Sequence, residues 1–362
     1  MDNDYTEAFE KIEETLGETL PPVPDTSWYE RVFPGVNLAA LLSAAPPVLP
    51  PVQPLLEPGR DLLGRGGKRW RPLLSLAVCR ALGGGDAALP LLPLVEFSHN
   101  ASLIHDDLED NSRERRGKPA VHLLYGEDTA INSGSFLYFL PLAVMETWDV
   151  PAEVRDRIWT CWARHMRRLH LGQSMDIAWH RDAPRIPSID EYMLMCSLKT
   201  GCLARFAALL GAETAWAART IPADPELSAR LGEAAEKLGV GFQILDDVKN
   251  LGPGVPGKQR GDDLVEGKKS LPVLLFLQAP GAGPSEDRIA FTRRCFQAAR
   301  QGGVSVPEVE EFIRALRDAG ALEEAERRGR ALIAEGGTVF AELPAEDPGA
   351  RRLLKGFTGL IQ

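Results

Sequence analysis

The chain has 362 residues, 44% hydrophobic and 25% charged, the balance of an ordinary globular protein rather than a disordered or fibrous one. Its formal net charge of −10 and pI of about 5.3 exclude a general nucleic-acid partner, so basic residues that matter must act as local clusters toward a small anion. The five cysteines, Cys79, Cys161, Cys196, Cys202 and Cys295, are odd in number and lack CxxC spacing. They read as free, buried thiols in a reducing compartment.

The acidic start, MDNDYTEAFEKIEE, has no signal-peptide apolar stretch, and no run of 18 apolar residues follows anywhere. A cytoplasmic protein without a membrane span is the expectation. Residues 1–18 predict a short amphipathic helix with Phe9, Ile12 and Leu16 on one side. Pro21, Pro22 and Pro24 punctuate the chain next, and residues 44–58 hold six prolines. That density predicts an extended connector rather than continuous helix. Residues 1–57 therefore read as an N-terminal extension and passive flank, and 58–362 as one domain. Helical periodicity dominates from there on, and strand-like alternation is essentially absent. The expected fold is all-α, a single large helical bundle.

Gly66-Gly67-Lys68-Arg69-Trp70-Arg71-Pro72 is the first stretch with chemistry. Its glycines let the backbone bring cations together, and Pro72 suits the first turn of a helix. Lys68 and Arg71 can converge there on an anion. Next, Val95 to Asp110 reads as a helix with carboxylates crowded at its C-terminal end. Asp106 and Asp110 are four apart, on one face. Like charges at that spacing, and negative charge at a helix C-terminus, both destabilise a bare helix. The arrangement makes sense if a divalent cation sits between them, and oxygen ligands suit Mg²⁺ or Mn²⁺. Arg113, Arg115 and Arg116 follow and suit phosphate.

A helix of about 127–147 carries Phe136, Tyr138 and Phe139, mostly core packing. A basic amphipathic helix of about 151–171 leads into Gly172-Gln173-Ser174-Met175-Asp176. An apolar helix of about 188–210 contains Lys199-Thr200. A lysine in such company is costly to bury unpaired, and phosphate resolves that. Residues 225–250 then repeat the first pattern: an apolar helix ending in Asp246-Asp247, with Gln243 on the face of Asp246 and Asn250 four residues beyond it. Two such helices facing each other would form a cage of oxygen ligands above an apolar shaft. Such a cage fits a ligand with a diphosphate head and a greasy tail. A basic loop follows, with Lys258 and Lys268 ten apart and Asp262, Asp263 and Glu266 between them. Residues 285–362 are amphipathic helices without a motif, read as structural and dimer-supporting.

In combination, HDDLED with RRG after it, then DDVKN and GKQRGDDLVEGKKSLP, resemble the trans-isoprenyl diphosphate synthase (polyprenyl synthetase) family from about Gly66 to Pro272. HDDLEDNSRERRG, GQSMDIAWHRD and the asparagine ending DDVKN are most similar to the geranylgeranyl subclass. The resemblance implies a prenyltransferase that joins isopentenyl diphosphate to an allylic diphosphate (dimethylallyl, geranyl or farnesyl). It also implies several Mg²⁺ ions, with Mn²⁺ substituting, and a homodimer or larger homo-oligomer. The implied metal ligands are Asp106, Asp107, Asp110 and Asp246. Isopentenyl diphosphate falls to Lys68, Arg71, His99 and Arg116. The allylic diphosphate falls to Arg115, Lys199, Thr200, Gln243, Lys258 and Lys268. Gln173 and Asp176 support the metal site, and Asp262, Asp263 and Glu266 make metal or water contacts. Many members carry a third aspartate where this chain has Asn250, which can still bind a metal-bound water.

Competing readings remain: farnesyl or longer polyprenyl products, a terpene synthase, or a non-catalytic regulatory subunit. The terpene synthase would not need Lys68, Arg71 and His99, and the regulatory subunit would lose acidic ligands. Chain length is read from the Asp106 helix, where each turn of about 5.4 Å is close to one isoprene unit. Ala101 and Ser102 lie one turn below Asp106 and Ser98 two turns below, all small. Val95, about three turns down, is the first branched side chain. An open face to that depth predicts a C20 product.

Overall fold

The computed structural model describes residues 3–36, 52–181, 185–252, 260–278, 285–345 and 347–361. These are helical almost throughout. In chain order the helices are α1 (Asn3–Thr19), α2 (Thr26–Val32), α3 (Gln53–Gly64), α4 (Trp70–Ala81), α5 (Pro93–Glu109), α6 (Val121–Tyr125), α7 (Glu127–Phe139), α8 (Leu142–Thr147), α9 (Ala152–Arg181), α10 (Ile189–Cys196), α11 (Cys202–Ala218), α12 (Pro225–Leu251), α13 (Asp262–Glu266), α14 (Leu271–Leu277), α15 (Glu286–Gly302), α16 (Pro307–Asp318), α17 (Ala321–Ala341) and α18 (Pro348–Ile361). A π turn, Ser197–Gly201, joins α10 to α11. The described β-structure is one two-residue hairpin, β1 (Glu114–Arg115) against β2 (Lys118–Pro119), antiparallel with Glu114 opposite Pro119 and Arg115 opposite Lys118.

The helix starts follow local chemistry. Asp224 accepts from the backbone N–H groups of Glu226 and Leu227, both at 3.0 Å, and Pro225 opens α12. Ser188 and Glu191 form a reciprocal capping box on α10. Pro93 opens α5, which packs along α7.

The chain divides into two compact units. The first comprises residues 1–159, 210–222 and 345–353, and the second 160–209, 223–344 and 354–362. In the first, α4 and α5 bury Leu73, Leu74, Leu76, Val95 and Phe97. In the second, α12 lies along α17, and Phe276, Phe312 and Leu316 anchor a core under α14 to α16.

Several expectations are corrected. The N-terminal helix is no passive flank: Ala8, Ile12 and Leu16 are buried in the first unit, each large side chain worth about 1.5–3 kcal/mol. Glu13 of that helix reaches Arg69 Nε at 2.5 Å. Residues 53–58 of the expected proline connector belong to α3, with Pro54 in its first turn and Pro58 inside it. Pro58 forgoes a hydrogen bond, but burial of Leu56, Leu62 and Leu63 holds the helix. Residues 44–51 of that connector lie outside the described residues. The helix expected over 127–147 breaks at Pro141 into α7 and α8. The helix expected over 188–210 runs further, to Ala218, and widens at the π turn. The stretch Ile189–Ala218 is long and apolar enough to cross a membrane, but 67% of its most apolar window is buried inside the fold. It behaves as a core helix. All five cysteines are free, and four are buried.

Candidate active site

The first unit gathers a cationic cluster. Arg69 stands in the left-handed region (φ 47°) between the glycine turn and α4. Its guanidinium bonds Glu96 on α5 at 3.0 Å and the Leu63 carbonyl at 2.7 Å. That buried anchor lies between exposed Lys68 and buried Arg71, whose guanidinium lies 4.3 Å over the Trp70 ring. Arg116, also left-handed (φ 53°), donates to the carbonyls of Leu62 at 3.1 Å and Gly66 at 2.6 Å. The β1–β2 hairpin thus returns Arg115 and Arg116 to the first basic loop.

The crowding has a measurable signature. Burial first, then repulsion by Arg69, Arg115 and Arg65, pulls Arg116 down to about 10, partly offset by Glu96. His99, half-buried on α5, is held well below its ordinary value by burial and by Arg71, Arg116, Arg69 and Arg115. It is therefore neutral at pH 7 and can serve a phosphate as a hydrogen-bond donor without adding charge. A bound dianion would relieve the repulsion among these guanidinium groups.

The three aspartates of α5 separate in role. Asp106 and Asp110 are half-buried at the helix end. Asp107 is fully buried and accepts two hydrogen bonds from Arg115, from Nε at 2.8 Å and from Nη2. Arg115 also lies 3.6 Å from Asp106. Asp107, expected at the metal, and Arg115, expected at the allylic diphosphate, meet each other in a buried ion pair, because the hairpin delivers Arg115 to that face of the helix. Of the four residues expected to set chain length, Val95, Ser98 and Ala101 are fully buried, while Ser102 is half-buried and donates to the His99 carbonyl at 2.7 Å.

The second unit gathers another set. Lys199 Nζ lies 2.6 Å from Asp176 Oδ2, and His180 Nε2 lies 2.7 Å from Asp176 Oδ1. Burial alone would raise the Asp176 carboxyl, but Lys199, His180 and Lys268 outweigh it and hold the group far below the usual range. Thr200 Oγ1 donates to Gln243 Oε1 at 2.8 Å, Gln243 Nε2 to Asp247 Oδ1 at 2.8 Å, and Tyr192 Oη to Asp247 Oδ2 at 2.6 Å. Asp247 is buried and Asp246, beside it, is half-buried. As on α5, one aspartate of the pair is buried while its neighbour is half-buried.

Asn250 is the residue expected to bind a metal-bound water. It is buried, and its Oδ1 lies 3.4 Å from the Asp263 backbone N–H, at the start of α13. Lys268 pairs with Glu266 and lies 3.9 Å from Asp263. Half-buried Gln173 lies one turn before Asp176 on α9. Lys258 lies outside the described residues. Sequence reading missed His180, Tyr192 and Arg69; the pattern Asp176…His180 at i, i+4 was the available signal for the first.

The polyprenyl synthetase family model matches residues 52–293. The chain belongs to that family. The geranylfarnesyl diphosphate synthase of Aeropyrum pernix is 32% identical over 305 residues, covering 81% of this chain and 89% of that protein. The geranylgeranyl pyrophosphate synthase of Geoglobus acetivorans is 33% identical over 282 residues, covering 77% of this chain and 82% of that protein. The geranylgeranyl pyrophosphate synthetase structure from Pyrococcus horikoshii Ot3 aligns over 99% of this chain and 96% of its own, with a TM-score of 0.76 and 27% identity. The polyprenyl synthetase described here is thus a trans-prenyltransferase with an all-helical fold.

The family implies divalent metal. Asp106 and Asp110 in the first unit, and Asp246 in the second, each carry hard carboxylate oxygens of the kind Mg²⁺ takes. Among the described residues no group of three or more His, Cys, Asp or Glu side chains could hold a metal ion.

Proposed function

We propose that the protein condenses isopentenyl diphosphate with an allylic diphosphate, with geranylgeranyl diphosphate as main product. The observation that carries this reading is the cationic cluster of the first unit, packed against a helix that ends in carboxylates. A terpene synthase ionises an allylic diphosphate without a second diphosphate and has no use for that cluster.

Mg²⁺ on Asp106, Asp110 and Asp246 would supply Lewis acidity toward the allylic diphosphate. Lys199 and Thr200 bind and orient that diphosphate, with Lys258 and Lys268 neutralising further oxygens. As the allylic C–O bond breaks, its electron pair leaves with pyrophosphate, and Lys199 stabilises the charge that develops. Lys68, Arg71, His99 and Arg116 hold isopentenyl diphosphate so that its double bond meets the allylic carbon. The new C–C bond forms, and a proton passes from the isopentenyl unit to the released pyrophosphate. No protein base is required.

Asp176 holds the Lys199 ammonium in place, and Asp107 does the same for the Arg115 guanidinium. The small residues Ala101, Ser102 and Ser98, ahead of Val95, support a C20 product. Pyrophosphate release with farnesyl diphosphate, measured with and without isopentenyl diphosphate, tests the reading. Release only when both substrates are present is expected. Release from the allylic substrate alone would favour the terpene synthase. A homodimer in the cytoplasm remains part of the proposal.

A further inference from the structure

We propose that Glu236, gripped by Arg168 and Arg205, is a positioning residue that fixes the π turn carrying Lys199 and Thr200. The inference rests on the reading that these two residues bind the allylic diphosphate.

A π turn is unfavourable in isolation and persists where its surroundings determine it. Here helices close on its backbone from two sides. A Cβ at Gly172 on α9 would lie 2.4 Å from the Lys199 backbone nitrogen, and one at Gly239 on α12 would lie 2.8 Å from the Gly201 Cα. Only glycine permits both approaches. The same turn is then held by polar contacts at its first and fourth residues. Ser197 Oγ donates to Glu236 Oε1, and Thr200 Oγ1 donates to Gln243 Oε1 at 2.8 Å. Glu236 and Gln243 are seven apart, two turns along one face of α12. One helix therefore grips Ser197 and Thr200 together.

The Glu236 grip is itself locked. Arg168 Nη2 donates to both carboxylate oxygens, at 3.0 and 3.1 Å, and Arg205 Nη1 donates to Oε2 at 3.2 Å. Arg168 Nη2 also lies 3.4 Å from Ser197 Oγ. A carboxylate from α12, held by guanidinium groups from α9 and α11, thus meets the hydroxyl that begins the turn. Charge-assisted bonds of this kind hold geometry as well as energy. Without Glu236 the two arginines repel each other beside Ser197, and the turn can relax toward α geometry. That relaxation changes the register of Lys199 against Asp176 and of Thr200 against Gln243. Glu236 therefore acts through Lys199 and Thr200 and touches no substrate.

The test compares Glu236→Ala, Glu236→Gln, Lys199→Ala and a control, Lys237→Ala, which removes an exposed ion pair to Glu335 on the same helix. KM for farnesyl diphosphate, KM for isopentenyl diphosphate, kcat and Tm are measured for each. Glu236→Ala is expected to raise the allylic KM at least tenfold and to keep the isopentenyl KM within twofold. Glu236→Gln, which keeps an acceptor for Ser197 but loses the charge, falls between it and wild type. Lys237→Ala leaves both constants unchanged. A lower Tm with both KM values unchanged overturns the inference. Should Glu236→Ala fail to fold, an unchanged allylic KM in Glu236→Gln overturns it equally. If Lys199→Ala also leaves the allylic KM unchanged, the parent reading of the site fails instead.

Discussion

Removing Asp107 should destabilise the protein far more than removing Asp110, although both belong to one motif. Asp107 is fully buried, and the Arg115 side chain is only 11% exposed. Asp107→Ala leaves that guanidinium with Asp106, 3.6 Å away, as the nearest carboxylate on α5. Breaking a buried ion pair by deleting one partner costs about 3–5 kcal/mol. Because Asp106 can take up part of the charge, about 3 kcal/mol is expected. At about 2 °C per kcal/mol for a protein this large, Tm should fall by about 6 °C. Asp110→Ala removes a half-buried negative charge from a helix C-terminus one turn beyond Asp106, which favours the helix by about 0.3–1 kcal/mol. Its Tm should stay level or rise while turnover is lost. The assay is thermal unfolding by circular dichroism without Mg²⁺, paired with turnover with Mg²⁺. Equal Tm values for the two variants would refute the separation of roles within the motif.

Stability should also fall on the acid side through His165. Burial, first, and the neighbouring Arg168 and Arg205 lower this group from 6.5 to about 4, and its Nδ1 donates to the Cys161 carbonyl at 2.7 Å. The unfolded chain binds this proton more readily, so the contribution is complete above pH 6.5. It is lost as pH falls toward 4, by about 3 kcal/mol in all; a His165→Leu variant whose Tm falls as steeply over that range would contradict the assignment. Arg71→Ala should raise KM for isopentenyl diphosphate about tenfold or more and KM for the allylic substrate much less; equal effects would contradict separate diphosphate sites. Ala101→Phe and Ser102→Phe, made singly, should shorten the product toward farnesyl diphosphate in at least one case. Ala101 is fully buried, so overpacking there costs about 1–3 kcal/mol as well. If both variants stay active and make the wild-type product, this helix face does not line the shaft.

The helices that carry the motifs were legible because their periodicity is strong: residues 225–250 were expected and Pro225–Leu251 is observed. The basic residues around Lys68 and Arg116 were legible as charge clusters. What sequence could not divide was each aspartate pair. Whether Asp106 or Asp107 faces inward depends on where the hairpin returns Arg115, and whether Asp246 or Asp247 does so depends on Tyr192 and Gln243. Both are tertiary facts. Nothing in the sequence shows that the side chain of Asn250 meets the start of α13. The π turn left no mark in Ser197-Leu198-Lys199-Thr200-Gly201 itself. Its causes are Gly172, Gly239 and Glu236, each from another part of the chain. Pro141 was a readable helix break that the apolar pattern of 127–147 concealed, whereas Pro58 was a break that burial overrode.

The central claim is a five-carbon extension by residues of this chain. Its most direct measurement is incubation of the purified protein with Mg²⁺, farnesyl diphosphate and labelled isopentenyl diphosphate, followed by dephosphorylation and chromatography of the alcohols. The account predicts geranylgeraniol with one label per chain, and none with EDTA present or in Asp110→Ala. Farnesyl diphosphate consumed without incorporated label, or label incorporated equally with EDTA, would contradict it.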